Sequence, residues 1–144
     1  MTSSTFLSSA PAGCARHAIR VRYGDTDQAS VVHHAAYLAY FEEARIEHQR
    51  ARGLDYRAFE AESGLGLPVV AADLRYRAPA RFDDLVHVQS WVESITRARV
   101  VYAQRVVRSE TVLVEARITL AAVHLAEARL VSIPARVAEA CSRA

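Results

Sequence analysis

The side chains of this sequence best suited to chemistry are concentrated in one stretch, Tyr23-Gly-Asp-Thr-Asp-Gln-Ala-Ser-Val-Val-His-His-Ala-Ala-Tyr37. Asp25 and Asp27 stand in a turn-rich loop, directly before a segment whose apolar spacing predicts a helix over 35–52. The first N–H groups of a helix have no intrahelical partner and carry about half a positive charge between them. A carboxylate beside such donors supplies what acyl transfer requires: a nucleophile or general base, and a place where a developing oxyanion is stabilised. The same residue types also cap loops and helix starts, so on residue type alone both roles stay open for Asp25 and Asp27. His33 and His34 fit either a half-exposed polar boundary or a catalytic group. The nearby carboxylates lack ligand spacing and no third His is close, so no metal is expected. Nothing resembles the G-x-S-x-G elbow of a serine nucleophile. All 18 basic residues are Arg, which removes lysine nucleophiles and Schiff bases from consideration.

These side chains need a scaffold, and hydrophobic periodicity outlines one. Residues 17–23 alternate apolar and polar and predict a first strand. In the helix that follows, Tyr37, Phe41, Ala44 and His48 recur at steps of four, three and four, and Gly53 ends it. Glu42 and Arg45 are three apart and are expected to pair with each other. Asp55 caps a short second helix over 56–62. Beyond the S-G-L-G-L-P breaker the pattern is strand: 68–77, 85–95, 99–108 and 112–125, with a brief tail at 131–133 and a terminal helix from Ala135. Consecutive strands with short links predict an antiparallel meander. One apolar helix stripe and one apolar sheet face must bury each other, so the expected fold class is α+β, a curved antiparallel sheet wrapped around a long central helix. The uncovered face and edges, with Leu85 and Val100 among their apolar residues, predict self-association.

Composition sets the outer limits. A chain of 144 residues with 51% hydrophobic and 24% charged residues fits one globular domain and excludes a wholly disordered chain. No window approaches the ~18 consecutive apolar residues of a membrane span. A formal net charge of +2 gives no electrostatic reason to expect nucleic acid as a partner. Residues 1–15, rich in Ser, Thr and Ala and without the features of a secretory signal, are expected to be a mobile tail before a single domain over 16–144. Cys14 and Cys141 form no disulfide or zinc pattern, which suits a reducing, cytoplasmic setting.

Y-G-D-T-D-x-A-x-x-V-x-H-x-x-Y followed by F-E-x-A-R resembles the 4-hydroxybenzoyl-CoA-thioesterase-type acyl-CoA thioesterases of the hotdog fold. The resemblance continues through Leu54-Asp55-Tyr56, the run from Arg75 to Asp84 and the closing Val131-Ser132-Ile133-Pro134. It implies hydrolysis of an acyl-CoA or of an acyl group on a carrier protein, with no cofactor, by a homodimer or homotetramer whose sites lie at the interface. It assigns the catalytic carboxylate to Asp27 and the oxyanion donor to the backbone N–H of His34, whose side chain would orient the thioester or assist proton transfer. Tyr23, Ser30, Val32, His33 and Tyr37 match positions around that site, and Asp25 would hold the loop. Arg97 and Arg99, at a predicted strand turn, are the candidates for the phosphates of coenzyme A, and Arg75, Arg77 and Arg81 cluster near Pro79. Tyr40, Phe41, Phe59 and Trp91 are expected chiefly in the core. Ser30 stands where the family usually has Gly, which implies either a mildly strained backbone or a narrowed acyl pocket. The hydratase pattern G-D-x-N-P-x-H is absent. A catalytically weak acyl-CoA-binding or sensor domain on the same scaffold is the alternative.

Overall fold

The computed structural model of the protein describes residues 6–142. In chain order the elements are β1 (Ala15–Arg20), a 3-10 turn (Tyr23–Asp25), α1 (Ala36–Ala51), α2 (Tyr56–Ser63), β2 (Leu65–Gly66), β3 (Val69–Tyr76), β4 (Leu85–Ile95), β5 (Arg99–Arg108), β6 (Thr111–Ala121), β7 (Val123–His124), β8 (Arg129–Leu130) and α3 (Ala135–Ser142). The main sheet has the order β1-β4-β5-β6-β3, and every neighbouring pair in it is antiparallel. β2, β7 and β8 form a second, three-stranded sheet. The expected hotdog arrangement of a sheet around one long helix is the one observed.

The buried residues of α1 are Tyr37, Tyr40, Phe41, Ala44, Arg45, His48 and Gln49, a stripe with the helical period. It lies on the inner sheet face, where Val86, Val88, Val100, Tyr102, Val106, Ala116 and Ile118 are buried in the same core. The stripe carries polar groups inward; among the described residues Gln49 Oε1 is left without a partner, while Arg45 finds one on the sheet. Gln104 accepts from Arg45 Nη1 and donates to both Phe41 O and Ser90 Oγ, as a buried amide must. The Glu42–Arg45 pair expected from spacing does not form: Arg45 turns into the core toward Gln104 while Glu42 stays exposed.

The meander is only partly realised. β4, β5 and β6 follow one another, but β3 does not pair with β4; it crosses to the far edge and pairs with β6, Tyr76 opposite Val114 and Val69 opposite Leu120. The connection 77–84 makes this crossing. Pro79 cannot donate to a ladder, and backbone bonds tie the segment to both sides: Arg77 and Ala78 N–H to Leu113 O, Val32 N–H to Ala80 O, and Val21 N–H to Asp84 O. The first strand stops at Arg20, because the chain turns into the 3-10 segment that holds Tyr23. The last long strand ends at Ala121 rather than at 125, and residues 131–133 are not strand. Val100, expected on an open surface, is fully buried under α1's side of the sheet, whereas Leu85 is exposed.

On the outer face the register sets Asp73, Arg117, Ala103 and Trp91 in one row, and Arg75, Glu115, Arg105, Gln89 and Arg16 in the next. Residues 6–14, within the segment expected to be a mobile tail, lie on this face, with Leu7 buried against Trp91 and Ala103. Trp91 is thus an outer-face residue, while Tyr37, Tyr40, Phe41 and Phe59 belong to the main core.

Candidate active site

The loop between β1 and α1 is folded by its own side chains. Asp25 accepts from Arg22 N–H at 3.0 Å and from Tyr40 O–H at 2.7 Å, and its carbonyl accepts from His33 N–H. Burial opposes ionisation of Asp25, but these hydrogen bonds and the Arg22 charge outweigh it and hold the carboxyl below the usual range. Asp27 begins a tight reversal: its N–H donates to Val31 O, its carbonyl accepts from Ser30 N–H, and its Oδ1 accepts from Ala29 N–H at 2.8 Å. Ser30 closes the reversal in the left-handed region, at a φ of +62°. That is the conformation for which Gly is the unstrained residue.

The start of α1 is capped unusually. Ala35 is the N-cap and offers no side-chain acceptor, so His33 supplies one, Nδ1 accepting from Ala35 N–H at 3.1 Å. The Ala36 N–H donates to His33 O. Among the described residues the His34 N–H finds no acceptor, and it sits at the positive end of the helix. Tyr76, at the end of β3, donates its hydroxyl to His34 O at 3.0 Å, which fixes the peptide on the other side of that residue.

Asp27 and His34 line one cleft of about 350 Å3, with Val31, Val32, Tyr37, Tyr76, Arg77, Ala78 and Pro79 as its walls. The Tyr37 hydroxyl accepts from Ala80 N–H at 3.3 Å, which ties the helix to the crossing connection. On the other side of the loop, Asp27 also lines a smaller cleft of about 230 Å3 with Tyr23, Thr26, Ser30 and Phe82. Here Tyr23 and Phe82 are exposed and face each other with ring centroids 5.4 Å apart.

Of the residues singled out from the sequence, the structure brings Asp27, His34, Val32 and Tyr37 to one cleft, and Tyr23 and Ser30 to the adjoining one. His33 lines neither; its ring stacks on His34 at 4.1 Å and serves the helix start. Arg97 and Arg99 are not brought to either cleft within one chain. They sit at the β4–β5 turn, where Arg97 donates to Ser132 Oγ, and the eleven residues of β4 separate that turn from the Asp27 end of the sheet by about 33 Å. Tyr76, Ala78, Pro79 and Phe82 were not anticipated as site residues. Their signal was present in the Arg75–Asp84 run, but their role depends on the crossing of the connection. Among the described residues no group of three His, Cys, Asp or Glu could hold a metal ion.

A carboxylate, an unengaged N–H at a helix start and a cleft between them are the elements of carbonyl addition chemistry. The profile of the Thioesterase-like superfamily matches residues 21–141, and the chain belongs to that superfamily. It is 34% identical to the acyl-CoA thioesterase YbgC of Haemophilus influenzae over 83% of this chain and 88% of that protein. It is 38% identical to the acyl-CoA thioester hydrolase YbgC of Escherichia coli over 75% of this chain and 81% of that protein. Among solved structures, a hypothetical protein from Thermus thermophilus superposes with a TM-score of 0.82 at 35% identity, covering 89% of this chain and 97% of that one.

Proposed function

We propose that this protein hydrolyses the thioester of an acyl-CoA, with Asp27 as nucleophile or general base and the His34 N–H as donor to the carbonyl oxygen. The carrying observation is that Asp27 and His34, whose N–H has no acceptor among the described residues, line the same cleft before α1. With the thioester oxygen on that N–H, the carbonyl carbon is polarised for attack. Water, or Asp27 followed by water, adds to the carbon; the C–S bond breaks, the acid is released and the proton ends on the departing thiol. The His34 side chain orients the thioester, and Tyr23, Ser30, Val32 and Tyr37 surround it. No cofactor or metal is required by this chemistry. The named activity of the YbgC relatives supports the same substrate class; an acyl group on a carrier protein presents the same thioester.

The working unit in this reading is at least a homodimer paired through β3. This strand is a sheet edge, nearly all of it exposed, with Val69 and Val70 among its uncovered residues. Two-fold antiparallel pairing of two such edges sets the Val69 end of one copy beside the Tyr76 end of the other. At the Val69 end lies a further cavity of about 370 Å3, lined by Glu42, Arg45, Gln49, Tyr56 and Leu67. Arg99, whose neighbour across the ladder is Ala121, is at that end too. The pairing therefore carries both toward the partner's Asp27 cleft, which supports a role for Arg97 and Arg99 on the phosphates of coenzyme A. Free Cys14 and Cys141 suit the reducing cytoplasm; no helix among the described residues is long and apolar enough to cross a membrane.

One observation favours the alternative of an acyl-CoA-binding domain: Asp27 Oδ1 is already engaged by Ala29 N–H, as in a simple capping role. Thiol release from short, medium, long and aromatic acyl-CoAs separates the two readings. Asp27→Asn, which keeps the Oδ1 acceptor, is expected to fold and to lose about 10²–10⁴-fold in kcat. Saturable binding without turnover by the unaltered protein, or full activity in the folded variant, would overturn the proposal.

A further inference from the structure

The segment 6–14 is not spread at random over the outer sheet face. The Phe6 ring lies under two guanidinium groups, Arg75 of β3 at 4.5 Å and Arg117 of β6 at 5.1 Å from its centroid. Its carbonyl accepts from Arg117 Nη2 at 2.8 Å, and the Ser8 carbonyl accepts from Arg105 Nη2 at 3.0 Å. Leu7, 4% exposed, fills the space between Trp91 and Ala103, and Ala10 and Cys14 pack against the same cluster. The segment thus spans β3, β4, β5 and β6 and converts the apolar centre of that face into interior.

We propose that residues 6–14 are an internal cover that occupies the surface on which a second copy of this chain would stack face to face. The charges of the face point to a second copy as the excluded occupant. Arg75 pairs with Asp73, Arg117 with Glu93, and Arg105 lies beside Glu115. Guanidinium and carboxylate groups stand side by side around an apolar centre at Trp91 and Ala103, so a two-fold copy can set Arg105 against Glu115 and Glu115 against Arg105, which is the self-complementarity an isologous contact requires. A polyanion or an acidic peptide would instead meet a carboxylate beside Arg75, Arg105 and Arg117. Sheets stack through such apolar centres about 10 Å apart, and the backbone of 6–14 fills that layer.

The full-length chain carries the test. Leu7→Glu places a charge in the buried position and should lift the cover. Trp91 is the sole tryptophan, so its emission should shift to the red in dilute solution. At higher concentration the molar mass from light scattering should reach twice that of the unaltered protein. Adding Ala103→Glu to this variant should return the mass to the starting value. Phe6→Ala, which removes both ring contacts without burying a charge, should show the same doubling at a higher concentration, and decides the matter where Leu7→Glu fails to fold. An unchanged mass in the folded variants, or a doubled mass that survives Ala103→Glu, would overturn the proposal.

Discussion

Ser30 is the point at which the loop holding Asp27 carries strain, because a side chain at a φ of +62° is crowded where glycine is not. Ser30→Gly is therefore expected to stabilise the protein by about 1 kcal/mol, seen as a rise in Tm of roughly 2–4 °C by calorimetry. Because Ser30 also lines the cleft with Tyr23 and Phe82, the same substitution should alter relative kcat/KM across an acyl panel. An unchanged Tm and an unchanged panel together would remove any special role for this residue. At this scale the sequence was most legible where chemistry and local structure coincide. Asp27 and His34 stand on one short loop whose turn residues and helix start can be read directly. Tyr76 and Pro79 were not legible as cleft walls, since they reach His34 and Asp27 only through a crossing that no local pattern encodes. His33 lies outside both clefts for a subtler reason: the helix start has alanine at its N-cap, and the neighbouring imidazole takes over the capping bond.

The long helix is amphipathic by position more than by chemistry. Its inward stripe includes Arg45, His48 and Gln49; the sheet meets Arg45 with Gln104, itself bonded to Ser90, and His48 with Tyr102. The His48 Nδ1 is 2.8 Å from the Tyr102 hydroxyl, and burial together with the Arg52 charge pushes the imidazole down to about 4 from 6.5. In the folded state His48 stays neutral across that interval, whereas in the unfolded chain it takes up a proton. Stability should therefore fall as pH drops from 6.5 to about 4, by up to about 3 kcal/mol from this residue. Urea titrations at pH 7, 5.5 and 4.5 should show the loss, and His48→Gln should flatten it; an equal slope in both proteins would exclude His48 as its source. Asp25 contributes at lower pH: its depressed carboxyl stabilises the fold until pH falls through the folded value, beneath the His48 window. Apolar spacing located α1, β4, β5 and β6 because each buries one face. It did not reveal that Arg45 would prefer Gln104 to Glu42, for a periodic pattern records which face is buried and not which polar groups satisfy each other inside it.

For the molecule as a whole, the proposed pairing through the exposed β3 edge would tie activity to assembly. Lysines on a strand edge oppose pairing, so Val69→Lys combined with Val70→Lys should give monomers by sedimentation velocity, with hydrolysis lost in parallel. A monomer with full activity would show that the Asp27 cleft is complete in one chain. The sequence disclosed open edges, yet it disclosed neither that residues 6–14 would cover the outer face nor which strand would lie at the far edge: the pairing of 69–76 with 111–121 is non-local and only the tertiary structure specifies it. That pairing has a consequence in time. Chains whose contacts are distant in sequence fold slowly, and synthesis exposes the early partner first. β3 leaves the ribosome before β4, β5 and β6, and it has no partner in the sheet until the last of these is made. The Tyr76–His34 contact joins residues 42 apart, and Tyr76 is held in place by β6. The cleft is thus assembled at the end of folding, so a nascent chain presents its valine-rich edge well before it owns a site, and any capacity for turnover is coincident with, never ahead of, a finished sheet.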